Sequence, residues 1–185
     1  MSVSVVTPPE PVVTLARVKQ HLRVLHDAED DLIESYVAAA TAMVDAPGGW
    51  LGRAIGMQIL EARFDQFDAN GLLLPAPPIE ELVSVKYIDR DNIEREVDLA
   101  DCALFDRELV PAHGKRWPRA LDRRESVMVR YRAGYDPVPA AIISAVLLMV
   151  GDLYANRETA SEGLKSEIQM SATVQNLLAP YRVYV

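Results

Sequence analysis

VMVRYRAGYDPVPAAIISAVLLMVGDLYA, residues 127–155, contains a change of period that decides how the chain is built. Val127, Val129 and Tyr131 alternate with Met128, Arg130 and Arg132, the period of a strand with one buried face. Pro137 and Pro139 stop that pattern, and Pro139 fits the first turn of a helix, where a missing amide hydrogen has no intrahelical partner to lose. From 139 to 155 the spacing is helical. Ile142, Val146, Met149 and Leu153 make one apolar ridge, and Ile143, Leu147, Val150 and Tyr154 make the next. Only Ser144 and Asp152 are left for water, so the helix needs burial on most sides. A central place in its own core and partial burial by neighbouring subunits both meet that need.

Upstream, helical and strand periods are just as well separated. Thr14 caps a short predicted helix whose Leu15, Val18, Leu22 and Leu25 share one face. A second helix starts at Asp27, with Leu32, Ile33, Tyr36, Val37, Ala40, Met43 and Val44 in a stripe and Ala38, Ala39, Ala40 and Ala42 permitting close approach of another helix. Glu29, Asp30 and Asp31 fall in its first turn, where negative charge suits the helix dipole, and Pro47, Gly48 and Gly49 end it. From Met57 the period is two: Leu60, Ala62 and Phe64 alternate with Glu61, Arg63 and Asp65, and Val83, Val85 and Tyr87 with Ser84, Lys86 and Ile88. Shorter strands fall near 93–97 and 103–110, and Pro75, Pro77 and Pro78 interrupt the region. A last short helix is predicted over 168–178, stopped by Pro180, after a polar connection over 156–165.

These elements predict an α+β fold. It is read as mainly a helical bundle, an N-terminal helix pair plus a long apolar C-terminal helix, with a small antiparallel sheet inserted. The chain of 185 residues, half of them apolar, supports one substantial core. We expect a single domain over 1–185, with an extended arm over 1–11, where Pro8, Pro9 and Pro11 disfavour helix, a β-rich insert over 57–132 and a C-terminal segment over 166–185. The apolar run 138–151 is too short for a hydrocarbon layer of about 30 Å, and the amino-terminal residues lack the basic and apolar regions of a secretory signal. The expectation is a soluble protein. Cys102 is the sole cysteine, so neither an internal disulfide nor a cysteine-based zinc site is available.

Chemistry is sparse. His21, His26 and His113 have no mutual ligand spacing. Asp89, Arg90, Asp91 and Asn92 begin like a calcium loop, but Ile93 and Glu94 stand where an oxygen ligand and a glycine are required, so the segment reads as a hairpin turn. Gly48, Gly49 and Gly52 precede no Lys-Ser or Lys-Thr pair, and no Gly-x-Ser-x-Gly elbow occurs. Catalytic, metal and cofactor-binding residues are therefore all read as none, and the protein as no enzyme. The net charge of −8 argues against a general nucleic-acid coat. Residues 107–132 run against that balance, with eight basic residues and three acidic ones. Lys115, Arg116, Arg119, Arg123 and Arg124 are the candidates there for contact with DNA or with another subunit, and Trp117 among them reads as a packing anchor.

The order of these features resembles one family. The pieces are His21-Leu22-Arg23-Val24, the acidic start Glu29 to Asp31, the alanine-rich helix through Met43, VMVRYRAGY at 127–135 with Pro137, Val138 and Pro139, then Leu153-Tyr154-Ala155-Asn156-Arg157-Glu158 and Leu177-Leu178-Ala179-Pro180-Tyr181-Arg182. Together, over 12–185, they resemble the head-tail connector, or adaptor, family of long-tailed double-stranded-DNA phages and related gene-transfer particles. The resemblance implies a structural virion protein made in the host bacterial cytoplasm. Its subunits would form a ring, of twelve in the particle, beneath the portal. That ring would extend the DNA channel without sequence-specific binding and receive a stopper or other tail-side protein. It also implies portal contact near the carboxyl terminus, which by position selects Leu177, Leu178, Tyr181, Val183 and Tyr184. The competing reading is a DNA-binding or packaging accessory protein that uses 107–132.

Overall fold

The computed structural model describes residues 1–156 and 170–183. They form two compact units, one of Met1–Glu10 with Gly56–Asp136 and one of Pro11–Ile55 with Pro137–Val185. In chain order the strands are β1 (Ser2–Thr7), β2 (Gln58–Phe64), β3 (Leu72–Leu73), β4 (Ile79–Ile88), β5 (Glu94–Val97), β6 (Cys102–Phe105), β7 (Glu108–Pro111) and β8 (Val127–Ala133). The helices are α1 (Leu15–Leu22), α2 (Asp30–Val44), α3 (Ala140–Ala155) and α4 (Ala172–Leu178).

All eight strands belong to the first unit. Five form one antiparallel sheet in the order β1-β2-β8-β4-β5, and β3-β7-β6 form a second. The alternation of β2 and β8 decides the core, because facing pairs Leu60↔Tyr131 and Ala62↔Val129 put four fully buried side chains on one face. Tyr131 is the largest of them, and its hydroxyl donates to the Pro75 carbonyl at 2.8 Å. Burial raises its pKa far above the ordinary phenol value, so it remains a donor. In β4 the register against β8 shifts between Leu82 and Ser84. That irregularity turns Val83 outward, 40% exposed, while Val85 stays fully buried. The hairpin turn read at Asp89 joins β4 to β5: Asp89 Oδ1 accepts from the backbone N–H groups of Asp91 and Ile93, both at 2.9 Å, and Asn92 takes the left-handed conformation.

Gly134 closes the sheet's central strand. Its φ is +132°, and a Cβ there would stand 2.3 Å from the Gly56 carbonyl oxygen. The close approach lets Gly56 bridge Tyr135 while the Gly134 N–H donates to Pro78 at 3.0 Å.

The second unit is helical. Thr14 accepts from the Arg17 N–H, capping α1, and Arg23 ends it in the left-handed region with Val24 N–H bonded back to the Lys19 carbonyl at 3.0 Å. Lys19 Nζ then holds both Asp27 and Asp30, which fixes the turn into α2. Asp27 is thus spent on this clasp, and α2 starts at Asp30 with Glu29 as its cap position. Ile33, Val37, Ala40 and Val44 bury the α2 face against α3, while Ala38, Ala39 and Ala42 are exposed. Glu29 accepts from the Tyr154 hydroxyl, and the last turns of α3 also bring Gly151 against His21. Two residues of the sequence pattern that lie 125 positions apart, Glu29 of the acidic start and Tyr154, therefore meet.

The chain is not a mainly helical bundle with a small inserted sheet. Among the described residues there are four helices and two antiparallel sheets, about 31% helix and 29% strand, and no long apolar helix. The stretch expected as the long C-terminal helix is a helix of 16 residues, with Ala140, Ser144, Asp152 and Ala155 exposed and Pro139 at its cap position. The sheet outgrew its expected size because β1, more than fifty residues before β2, pairs along it from Ser2↔Arg63 to Thr7↔Ile59. Pro8 and Pro9 lie just past the last pair, where no ladder hydrogen bond is asked of them. The last helix covers 172–178; the part of the predicted 168–178 helix before Met170 lies outside the described residues.

Candidate assembly surfaces

Residues 181–183 are tied down by the loop that follows α2. Asp45 is buried and organises this loop, its Oδ1 accepting from Ala46 N–H at 2.9 Å and Ile55 N–H at 2.8 Å, which puts Leu51, Ala54 and Ile55 in the core. Onto it come the Val183 N–H, donating to the Leu51 carbonyl at 2.8 Å, the Tyr181 carbonyl, accepting from Arg53 Nε, and the Arg182 guanidinium, 4.1 Å over the Trp50 ring. Of the residues selected for portal contact, Leu178 is fully buried in its own unit, and Leu177, Tyr181 and Val183 are half-buried. Tyr184 lies outside the described residues. Sequence reasoning missed the Asp45 loop; its signal is the one acidic residue standing directly before Ala46-Pro47-Gly48-Gly49.

The basic candidates divide. Lys115 is paired with Asp101 at 2.6 Å, and Arg123 donates to Asn92 at 3.4 Å, so both help to hold their own loop. Arg116, Arg119 and Arg124 are exposed and form no ion pair among the described residues. Trp117 stacks on Phe67 with ring centroids 4.7 Å apart and 13° between planes, and Phe67 meets Tyr87 edge-on, so the indole is a packing anchor.

A further charged cluster lies on the outward face of the large sheet. Glu61 is 6% exposed although its strand position faces outward, because Arg63 and Arg130 from β2 and β8 close over it at 2.7 and 2.6 Å. Burial pushes its carboxyl up, and the two arginines more than offset this, leaving the pKa below the usual carboxylate value. The sign follows from that depression. The stabilisation is present above the unfolded-state pKa and is lost as pH falls through the lower folded-state value. Acid titration of unfolding is therefore expected to show a destabilisation below about pH 4 that is smaller in Glu61→Gln; an unchanged acid limb would remove Glu61 from this role.

Residues 12–97 match the model of the phage gp6-like head-tail connector protein family. Among solved structures the whole chain superposes on a component of the neck of an empty gene transfer agent particle computed with C6 symmetry, at 23% identity and a TM-score of 0.79. A component of the virion of a native gene transfer agent particle gives 22% and 0.78, and one of the native particle neck computed with C12 symmetry gives 18% and 0.71. Each comparison covers 100% of this chain and 97% of the other. At these identities the likeness is one of fold. No curated protein sequence matches the chain.

Proposed function

We propose that this protein is a structural subunit of the connector at the head-tail junction of a phage or gene transfer particle, assembling as a ring beneath the portal, with no enzymatic activity. The match of residues 12–97 to the head-tail connector family carries the reading, and the full-length fold likeness to neck components supports it. On this reading the ring continues the DNA channel, meets the portal on one side and receives a stopper or other tail-side protein on the other. Leu177, Tyr181 and Val183, with Tyr184 beyond them, supply portal contact, and Leu178 anchors the segment that carries them. An acidic subunit suits a channel through which DNA must slide, since a surface that bound many phosphates would hold it.

The test is mass measurement of the purified protein at rising concentration, alone and with the portal protein of the same particle. A ring or a defined portal complex is expected. A strict monomer that ignores portal overturns the proposal. The same samples titrated with duplex DNA at two salt concentrations separate the accessory-protein reading, which requires a steep salt dependence that vanishes in Arg116→Ala, Arg119→Ala, Arg124→Ala.

A further inference from the structure

A ring of identical subunits requires two different lateral surfaces that fit each other, and the large sheet carries two such surfaces at its ends. β1 and β5 are its edges. Neither edge is paired among the described residues, so each offers a row of backbone donors and acceptors to another strand. The β1 edge carries no charge or proline: its six residues are Ser, Val and Thr, Val5 and Val6 are 40% and 44% exposed, and its one irregularity lies between Val5 and Thr7, so Ser2 to Val5 present a regular edge.

Topology makes the two edges compatible. Five strands paired antiparallel throughout place β1 and β5 in the same direction. The register then aligns them: Ser2 faces Arg63, Arg63 faces Met128, Met128 faces Lys86, and Lys86 faces Glu96, a single row across the sheet. The next row runs from Val3 through Ala62, Val129 and Val85 to Val97. Near the two ends of the first row stand exposed side chains of opposite charge, Glu96 and Arg124. At the β5 end Glu96 is exposed and free of ion pairs among the described residues, beside Glu94, whereas Arg95 is held by Asp89 at 2.9 Å. At the β1 end the exposed Arg124, which has no ion pair among the described residues, shares a shallow depression with Ser2, Asp65 and Glu125, and Glu125 accepts from the Ser2 hydroxyl at 2.8 Å.

We infer that a second copy of this chain covers the β1 edge: β1 of one subunit pairs in parallel with β5 of the next, with Glu96 of one copy opposite Arg124 of the other. The pairing is head-to-tail, so it cannot give a two-fold dimer, and its repetition forms a ring where the rotation per subunit closes. This inference rests on the ring reading above and specifies its lateral contact.

The experiment uses the full chain with Cys102→Ser, assembled with portal, carrying Val3→Cys, Val97→Cys or both, and oxidised before non-reducing electrophoresis. The double variant is expected to give a ladder reaching the ring size, while each single variant stays monomeric. Rings by mass without a ladder overturn the edge contact and leave the ring reading standing. A dimer from Val3→Cys alone means β1 pairs with β1 and overturns it as well. No ring and no ladder remove both. In a second arm, Arg124→Glu and Glu96→Arg are each expected to lower the assembled fraction about tenfold at low salt, and the double charge exchange to restore it; failure of restoration counts against the pairing even if the single variants are poorly folded.

Discussion

Gly134→Ala should be the most damaging small substitution in the sheet unit, costing about 3 kcal/mol. Two independent effects act at that position. The backbone lies at φ +132°, where a side chain is strained, and the added Cβ would stand 2.3 Å from the Gly56 carbonyl oxygen and 2.8 Å from the Met57 nitrogen, both backbone atoms that cannot swing aside. Relief requires parting the strand ends where Gly56 bridges Tyr135, at the close of β8 and the start of β2. Thermal unfolding should record a fall of about 10 °C. Gly48→Ala is the control, because a Cβ added there would meet nothing within 4 Å and its φ is not in the left-handed region; it should stay within about 0.5 kcal/mol of the parent. Equal behaviour of the two variants would refute the account of Gly134.

Leu178→Ala should cost about 3 kcal/mol in the helical unit. α4 is only seven residues long, too short to persist by itself. It is held by Val174 and Leu178, both fully buried, and by Ser171, whose hydroxyl accepts from the Val174 N–H. Removing the larger anchor leaves a cavity and loosens the segment that carries Tyr181 to Val183. Leu177→Ala, at a half-buried position, should cost about 1 kcal/mol or less. The pair also separates stability from contact. If Leu177→Ala weakens portal binding with little change in unfolding, Leu177 touches the portal; if binding falls only with Leu178→Ala and in step with stability, the neighbouring residues supply the contact. Denaturant unfolding and portal pull-down on the same preparations give both readings.

Individual residues show how far the sequence could be read. Thr14, the α2 stripe of Ile33, Val37, Ala40 and Val44, and the alternation of Leu60, Ala62, Val127, Val129 and Tyr131 all act within one turn or one strand, so their signal is local and legible. Val83 shows the limit. Its alternation with Val85 is regular in sequence, and a register shift in β4 reverses its exposure. Glu61 shows another: a charged residue at an outward strand position reads as solvated, yet arginines at 63 and 130 bury it. The five basic candidates looked alike, and their partners, Asp101 for Lys115 and Asn92 for Arg123, come from distant parts of the chain.

By itself, then, the sequence determined the helices and most strands, the Asp89 turn, the strand-to-helix junction at 134–139 and the family resemblance, because periodicity, capping and turn chemistry depend on near neighbours. Only the tertiary structure decided that residues 2–7 complete a five-stranded sheet, that the fold is not a helical bundle, and that Glu96 and Ser2 share one row across that sheet. The physical reason is strand pairing. Each ladder joins residues far apart in the chain through backbone groups that every residue type possesses, so pairing leaves little mark on sequence until the partners are side by side.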